Sequence, residues 1–265
     1  GYELWSRVLD ADGVPAAALQ RLTTSDGAAA SPSLARASDG SLLAGYSFDE
    51  VGDAALEWNV ARINTSGALT TTWTRVSGNG EAASRGAVVR GATTGFLAGW
   101  LDDANNVRVR AVTTAGAATG TAVTAGRSDL LGLNPAVLVF ARNDGFDALW
   151  GQAIDDTAMA VGVLRSALTS DATGREPGVA SLNGGVVVAY RHTTTAGTQL
   201  ALALFNSRAE LVKTELLGTT TALGGPVSVA VNNEGIIRIA WAEIDAGTTT
   251  TYSQAIVCTG LPADL

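Results

Sequence analysis

Leu42-Leu43-Ala44-Gly45-Tyr46 is a run of small and apolar residues closed by an aromatic, and the chain repeats the pattern at residues 96–100, 137–141, 186–190 and 237–241. Trp100, Tyr190 and Trp241 close three of these runs, and Ala141 stands in the aromatic position of the other. Their last residues lie roughly 54, 41, 49 and 51 positions apart, a repeat period near 50. The runs are apolar and rich in Val, Leu and Ala, and polar turn residues bound them. That is the pattern of strands, and no long stretch places apolar residues at helical spacing.

Four strands fit each unit. The first begins near a proline in three units, at Pro32, Pro177 and Pro226. Proline is tolerated there because the first residue of a strand need not donate to the ladder. Turn chemistry follows at Asp39-Gly40, Asn183-Gly184 and Glu234-Gly235, then the apolar run as second strand. A polar loop leads to third strands over residues 56–64, 107–113, 148–155, 200–206 and 252–257. Gly67, Gly116 and Gly260 end three of these. Fourth strands are short and Thr-rich, as at 70–76 and 212–217.

A four-stranded antiparallel unit at this period predicts an all-β chain, a β-propeller of five four-stranded blades, because solenoid coils are much shorter. Residues 3–10 and 17–23 read as a third and a fourth strand, and the C-terminus supplies a first, second and third. The two ends together complete a fifth blade and close the ring, which hides strand edges. One third strand is left over, at 3–10 or 252–257. Residues 1–265 read as a single propeller domain excised from a larger protein, since Met159 is the only methionine and Gly1 is no translation start.

Composition narrows the function. Charged residues make up 16% of the chain and the formal net charge is −8. A nucleic-acid surface needs clustered Lys or Arg, so that class is excluded, as is attraction to anionic lipid. No segment has the 18 or so apolar residues that span a bilayer. Cys258 is the only cysteine; it reads as a buried thiol, or as one half of a bridge to a cysteine outside this segment.

The repeat resembles a degenerate β-propeller repeat of large bacterial surface proteins: an apolar run ending Ala-Trp, an acidic loop, an Ile-Tyr-Ala-Gln-Arg-Val-Asp-like strand, then Gly. Residues 4–13, Leu-Trp-Ser-Arg-Val-Leu-Asp-Ala-Asp-Gly, carry the likeness best, followed by 149–155 and by Ile239-Ala240-Trp241. The resemblance implies a secreted, periplasmic or cell-surface propeller, often one part of a multidomain protein. It transfers no catalytic residue.

Candidate sites are few. Acids gather between second and third strands: Asp49, Glu50 and Asp53, then Asp102 and Asp103, Asp144 and Asp147, and Glu243 and Asp245. Carboxylates in a tight loop could gather calcium, and Asp102, Asp103, Asp144 and Asp147 are the candidate ligands. The ordered spacing of a known calcium loop is missing, so solvated turns are the plainer reading. Asp10-Ala11-Asp12-Gly13 and Asn64-Thr65-Ser66-Gly67 want short polar residues followed by a positive-φ glycine, which makes them turns. His192, the only histidine, reads as a loop residue, with no serine nucleophile elbow and no zinc set to join. Tyr46, Trp100, Tyr190 and Trp241 share one repeat column, and Trp5 and Trp150 share another with Asn59, Arg108, Ala201 and Tyr252; both columns read as core.

The expected function is a non-enzymatic surface module that binds an unknown protein or glycan, monomeric as an isolated domain, with no cofactor beyond possible calcium. One alternative is a structural spacer of a large adhesin or envelope protein. Another is a five-bladed propeller glycoside hydrolase, which needs paired carboxylates on first strands facing a central channel. The predicted first strands at 32–38, 86–91 and 226–232 hold no Asp or Glu, and Asp129 and Glu176 fall only at suspected strand starts.

Overall fold

The computed structural model describes residues 3–10, 12, 14–23, 29–36, 40–49, 56–78, 81–90, 95–104, 106–127, 130–134, 137–143, 147–154, 160–166, 173–182, 185–219, 227–232 and 234–257. These residues form 21 strands and, among them, no helix. The chain divides into two units, residues 1–125 with 156–159 and residues 126–155 with 160–265.

In the first unit, β1 (Trp5–Ser6) and β2 (Gln20–Arg21) pair antiparallel, Trp5 opposite Arg21. β3 (Ala30–Arg36), β4 (Leu42–Phe48), β5 (Glu57–Ile63) and β6 (Thr74–Arg75) follow as one sheet in chain order. β7 (Ser84–Arg90), β8 (Phe96–Leu101), β9 (Asn106–Val112) and β10 (Ala118–Arg127) form the next. The period of two decides what each sheet buries. On β5, Trp58 and Val60 turn one way, into a core with Leu43, Val76, Phe96, Ala98 and Trp100. Ile63 turns the other way and packs with Ala44 and Leu22. A Cβ on Gly86 of β7 would lie 2.5 Å from the Trp58 ring, so the absence of a side chain there makes room for the indole.

The second unit repeats the scheme. β11 (Leu130–Asn134), β12 (Val137–Asn143), β13 (Asp147–Ile154) and β14 (Ala160–Ser166) make one sheet. β15 (Thr173–Leu182), β16 (Gly185–Thr194), β17 (Gly197–Phe205) and β18 (Leu211–Thr219) make another. β19 (Ser228–Val231), β20 (Ile236–Asp245) and β21 (Thr248–Val257) make a three-stranded sheet. Each of the five apolar runs lies in a second strand, as predicted. The two termini were expected to share one blade; β1 and β2 instead form a two-stranded sheet of their own. Cys258 and Gly260 lie outside the described residues.

Register alters the aromatic column at one place. Tyr46 faces Asn59, Trp100 faces Arg108, Tyr190 faces Ala201 and Trp241 faces Tyr252. In the third unit the residue facing Trp150 is Phe140. The position assigned to Ala141 therefore belongs to Phe140, and the column is aromatic throughout. Three first strands also bulge in the same place. Ser31-Pro32 oppose Tyr46, Arg85-Gly86 oppose Trp100, and Glu176-Pro177 oppose Tyr190, two residues against one each time.

Two expectations about loops are corrected. Residues 191–194, His192 included, lie within β16, and Glu243 and Asp245 lie within β20. Two-residue tips let these hairpins extend: Ala246 and Gly247 take φ of 46° and 84°, the signature of a turn that suits the strand twist. Trp5, read as core, is 48% exposed.

One turn recurs. A side-chain oxygen at position i accepts the backbone N–H groups of i+2 and i+4 at Asp10, Asn64, Asp102, Asn206 and Asn232. Position i+3 needs positive φ, supplied by Gly67 and Gly235, and by Ala209 at φ 58°. Gly116 plays the same part after Thr113.

Two predictions follow from this packing. Gly67 and Gly116 share φ 85°, so alanine at either costs about 1–2 kcal/mol of backbone strain. A Cβ on Gly67 would also lie 2.7 Å from Ser6 Oγ, whereas one on Gly116 meets nothing nearer than Arg62 Cγ at 3.5 Å. Urea unfolding should therefore rank Gly67→Ala clearly below Gly116→Ala; equal losses would show that the contact is immaterial. Tyr190 is fully buried, its hydroxyl has no hydrogen-bond partner among the described residues, and burial pushes its pKa up to about 12. Folding favours the neutral phenol, so that stability is present below the ordinary value of 10.0 and is lost as pH rises to about 12. Tyr190→Phe should match or exceed the parent Tm at neutral pH and lose less stability in alkali.

Candidate functional site

The described residues line an open pocket of about 580 Å³ in the first unit, and its walls follow from an interrupted strand. Residues 70–76 were predicted as a full fourth strand, yet only Thr74 and Arg75 pair with β5. Thr70 N–H still donates to Arg62 O at 2.9 Å, but Arg62 N–H donates to the Thr71 hydroxyl at 3.0 Å. A side chain thus takes the place of a backbone partner, and residues 71–73 leave the ladder. They form one wall, with Leu22 and Thr23 beside them.

Tyr46, Phe48 and Asn59 form the floor. Three aromatic rings meet there: Tyr46 lies 4.3 Å from Trp73 in an edge-on arrangement and 5.7 Å from Phe48. Trp73 is held in orientation by its Nε1–H, which donates to Leu22 O at 3.0 Å. Asn59 Nδ2 donates to Glu57 O at 3.1 Å, and Thr23 Oγ1 accepts from Leu4 N–H at 2.9 Å. Among the described residues, no charged side chain lines the pocket.

Glu57, two residues before Asn59 on β5, is fully buried, and Arg75 Nη1 stands 3.7 Å from its Oε1. Removing one partner of a buried pair strands the other charge. Arg75→Met should therefore lower unfolding free energy by about 3 kcal/mol in urea titration, with Glu57→Gln in the same chain recovering part of the loss. Additive losses would rule the pairing out.

The acids singled out from the sequence fall in different settings. Asp102 Oδ1 accepts the N–H groups of Ala104 and Asn106, its Oδ2 accepts Asn106 Nδ2 at 2.9 Å, and Arg108 Nη1 lies 4.0 Å away. Both oxygens thus serve the turn between β8 and β9, and Asp103 beside it is exposed. Asp147 opens β13 opposite Asn143, and Asp144, Glu50 and Asp53 lie outside the described residues. Among the described residues, no three His, Cys, Asp or Glu converge as a metal set. Glu81 stands across from Asp102 on the other side of Arg108, which lies 3.8 Å from its Oε1, and Trp100 Nε1 donates to that oxygen at 3.3 Å.

Glu176 is different. It was placed only at a suspected strand start, but β15 begins at Thr173 and carries it inside the strand. The other described first strands, β3, β7, β11 and β19, contain no Asp or Glu. Glu176 occupies the β15 bulge, where Ser31 and Arg85 stand in β3 and β7. Bulges re-aim side chains and gather near active sites. The sequence signal that could have found it was the Glu-Pro step itself, since proline is also placed at bulges. Asp129 lies outside the described residues.

No protein-family model and no curated protein sequence matches the chain. Solved structures do. An α-L-arabinanase from Penicillium chrysogenum, complexed with arabinobiose, superposes with a TM-score of 0.53 at 14% identity, over 85% of this chain and 81% of that one. The GH93 α-L-arabinofuranosidase of Fusarium graminearum gives 0.55 at 14% identity, over 84% and 80%. A GH43 β-1,3-galactosidase gives 0.53 at 10% identity, over 96% and 95%. The chain has a β-propeller fold. These findings overturn the expectation of a non-enzymatic module, because the fold is shared with glycoside hydrolases. The expectation had leaned on first strands empty of carboxylates, and β15 is longer than its proline suggested.

Proposed function

We propose that the protein is a glycoside hydrolase built on a five-bladed propeller, acting on a neutral polysaccharide of the arabinan or galactan kind. The observation that carries this reading is the likeness, over more than four fifths of the chain, to two arabinan-directed enzymes and a galactosidase. Four four-stranded sheets and a three-stranded one support the blade count. The resemblance of the repeat to bacterial surface proteins supports a place outside the cytoplasm.

Glycosidic cleavage uses two carboxyl groups, one protonating the leaving oxygen and the other acting as nucleophile or activating water. Among the described first strands only β15 carries an acid, Glu176, which makes it the candidate for one of them. The protein should release reducing sugar from linear arabinan, arabinobiose or β-1,3-galactobiose. Glu176→Gln should lower kcat by about 10²–10⁴-fold with little change in KM. Full activity in that variant, or no turnover of any of the three substrates by the parent protein, would refute the proposal.

A further inference from the structure

We propose that the pocket over Tyr46, Phe48 and Trp73 is a binding site for a neutral saccharide about two sugar rings long. The assignment stands on the cavity's own chemistry and does not require the hydrolase reading.

Charge decides the class of ligand first. The chain carries 42 charged Lys, Arg, Asp and Glu residues, 17 basic and 25 acidic, yet the described residues that line this pocket include none of them. An ion or phosphate ester would find no counter-charge among these lining residues, and the nearby Glu57 is fully buried with Arg75 3.7 Å from its Oε1. What the cavity offers is aromatic surface edged by hydroxyls and an amide. The half-buried rings of Phe48 and Trp73 present flat apolar area next to Thr70, Thr71 and Thr72. A sugar ring matches this on both counts: its C–H face lies against an aromatic ring, and its rim of hydroxyls exchanges hydrogen bonds with side chains that can donate or accept. A purely apolar ligand would strip water from the hydroxyls of Thr70 and Thr72, which are exposed at the pocket, without replacing it.

Size and rigidity agree. The volume of about 580 Å³ lies within the roughly 300–1,000 Å³ of small-molecule sites. The Trp73 indole is fixed by its bond to Leu22 O and wedged against Tyr46, and Asn59 is fixed by its bond to Glu57 O. Little side-chain freedom remains to be lost on binding, which favours affinity.

The test is calorimetric titration with arabinobiose, and with p-cresol as an apolar control, on the parent protein and three variants. Thr72 is exposed at the cavity wall, so Thr72→Trp and Thr72→Arg obstruct the site without touching the core, and an unchanged Tm verifies that each folds. Arabinobiose should bind the parent and bind both obstructed variants about tenfold or more weakly, while Glu176→Gln keeps parent affinity. Binding unchanged in both obstructed variants, binding lost only in Glu176→Gln, or p-cresol binding in place of the disaccharide would each overturn the proposal. Binding that follows Thr72 in a protein without turnover would sink the hydrolase reading and leave this site standing.

Discussion

The packing of three of the sheets depends on an aromatic side chain set opposite two residues where a regular ladder would place one. Tyr46, Trp100 and Tyr190 each face a bulge in the neighbouring first strand. The bulge bends that strand and increases its twist, and the ring fills the space between sheets. Trp100 and Tyr190 are fully buried there. The surrounding choices follow from this demand for room. Gly86 lacks the Cβ that would strike Trp58, and Gly178 lacks the one that would strike Val227 O. The apolar runs alternate so that one face of each second strand serves the ring's neighbours and the other serves the next layer.

This division explains what could be read in advance. β4, β8 and β16 were legible because burial on both faces demands an unbroken apolar run, and an aromatic closes it. Positive-φ turns at Gly67, Gly116 and Gly235 were legible because few residues tolerate that backbone. Where another residue tolerated it, as Ala209 does, the signal vanished. Strand ends were the weak point. β16 and β20 run several residues past their aromatics because Thr-rich segments pair well across two-residue tips, and Thr193 Oγ1 lies 3.1 Å from Thr198 Oγ1. Nothing local to residues 191–194 distinguishes such an extension from a polar loop.

The site was less legible for the same reason. The cavity exists because the Thr71 hydroxyl competes with the backbone for Arg62 N–H, and threonine is also among the best strand formers. Only the outcome of that competition separates a fourth strand from a cavity wall. Glu176 was misread because Pro177 looks like a strand start, although proline is equally at home in a bulge. Asp102, by contrast, drew attention as an acid in a loop, and its oxygens are occupied in holding that loop together.

The strand order within every sheet is the order of the chain, β3 to β6, β7 to β10, β11 to β14, β15 to β18 and β19 to β21. No ladder waits for a distant segment. Each sheet is complete as soon as about fifty residues are available, so the loop entropy of its pairings stays small and its strands can zip in sequence. During synthesis the nascent protein would shield one open strand edge at a time, the next strand out of the ribosome covering the last. A chain so rich in β-branched and hydroxyl side chains gains from this order of events, because its exposed edges are short-lived while it is most able to aggregate.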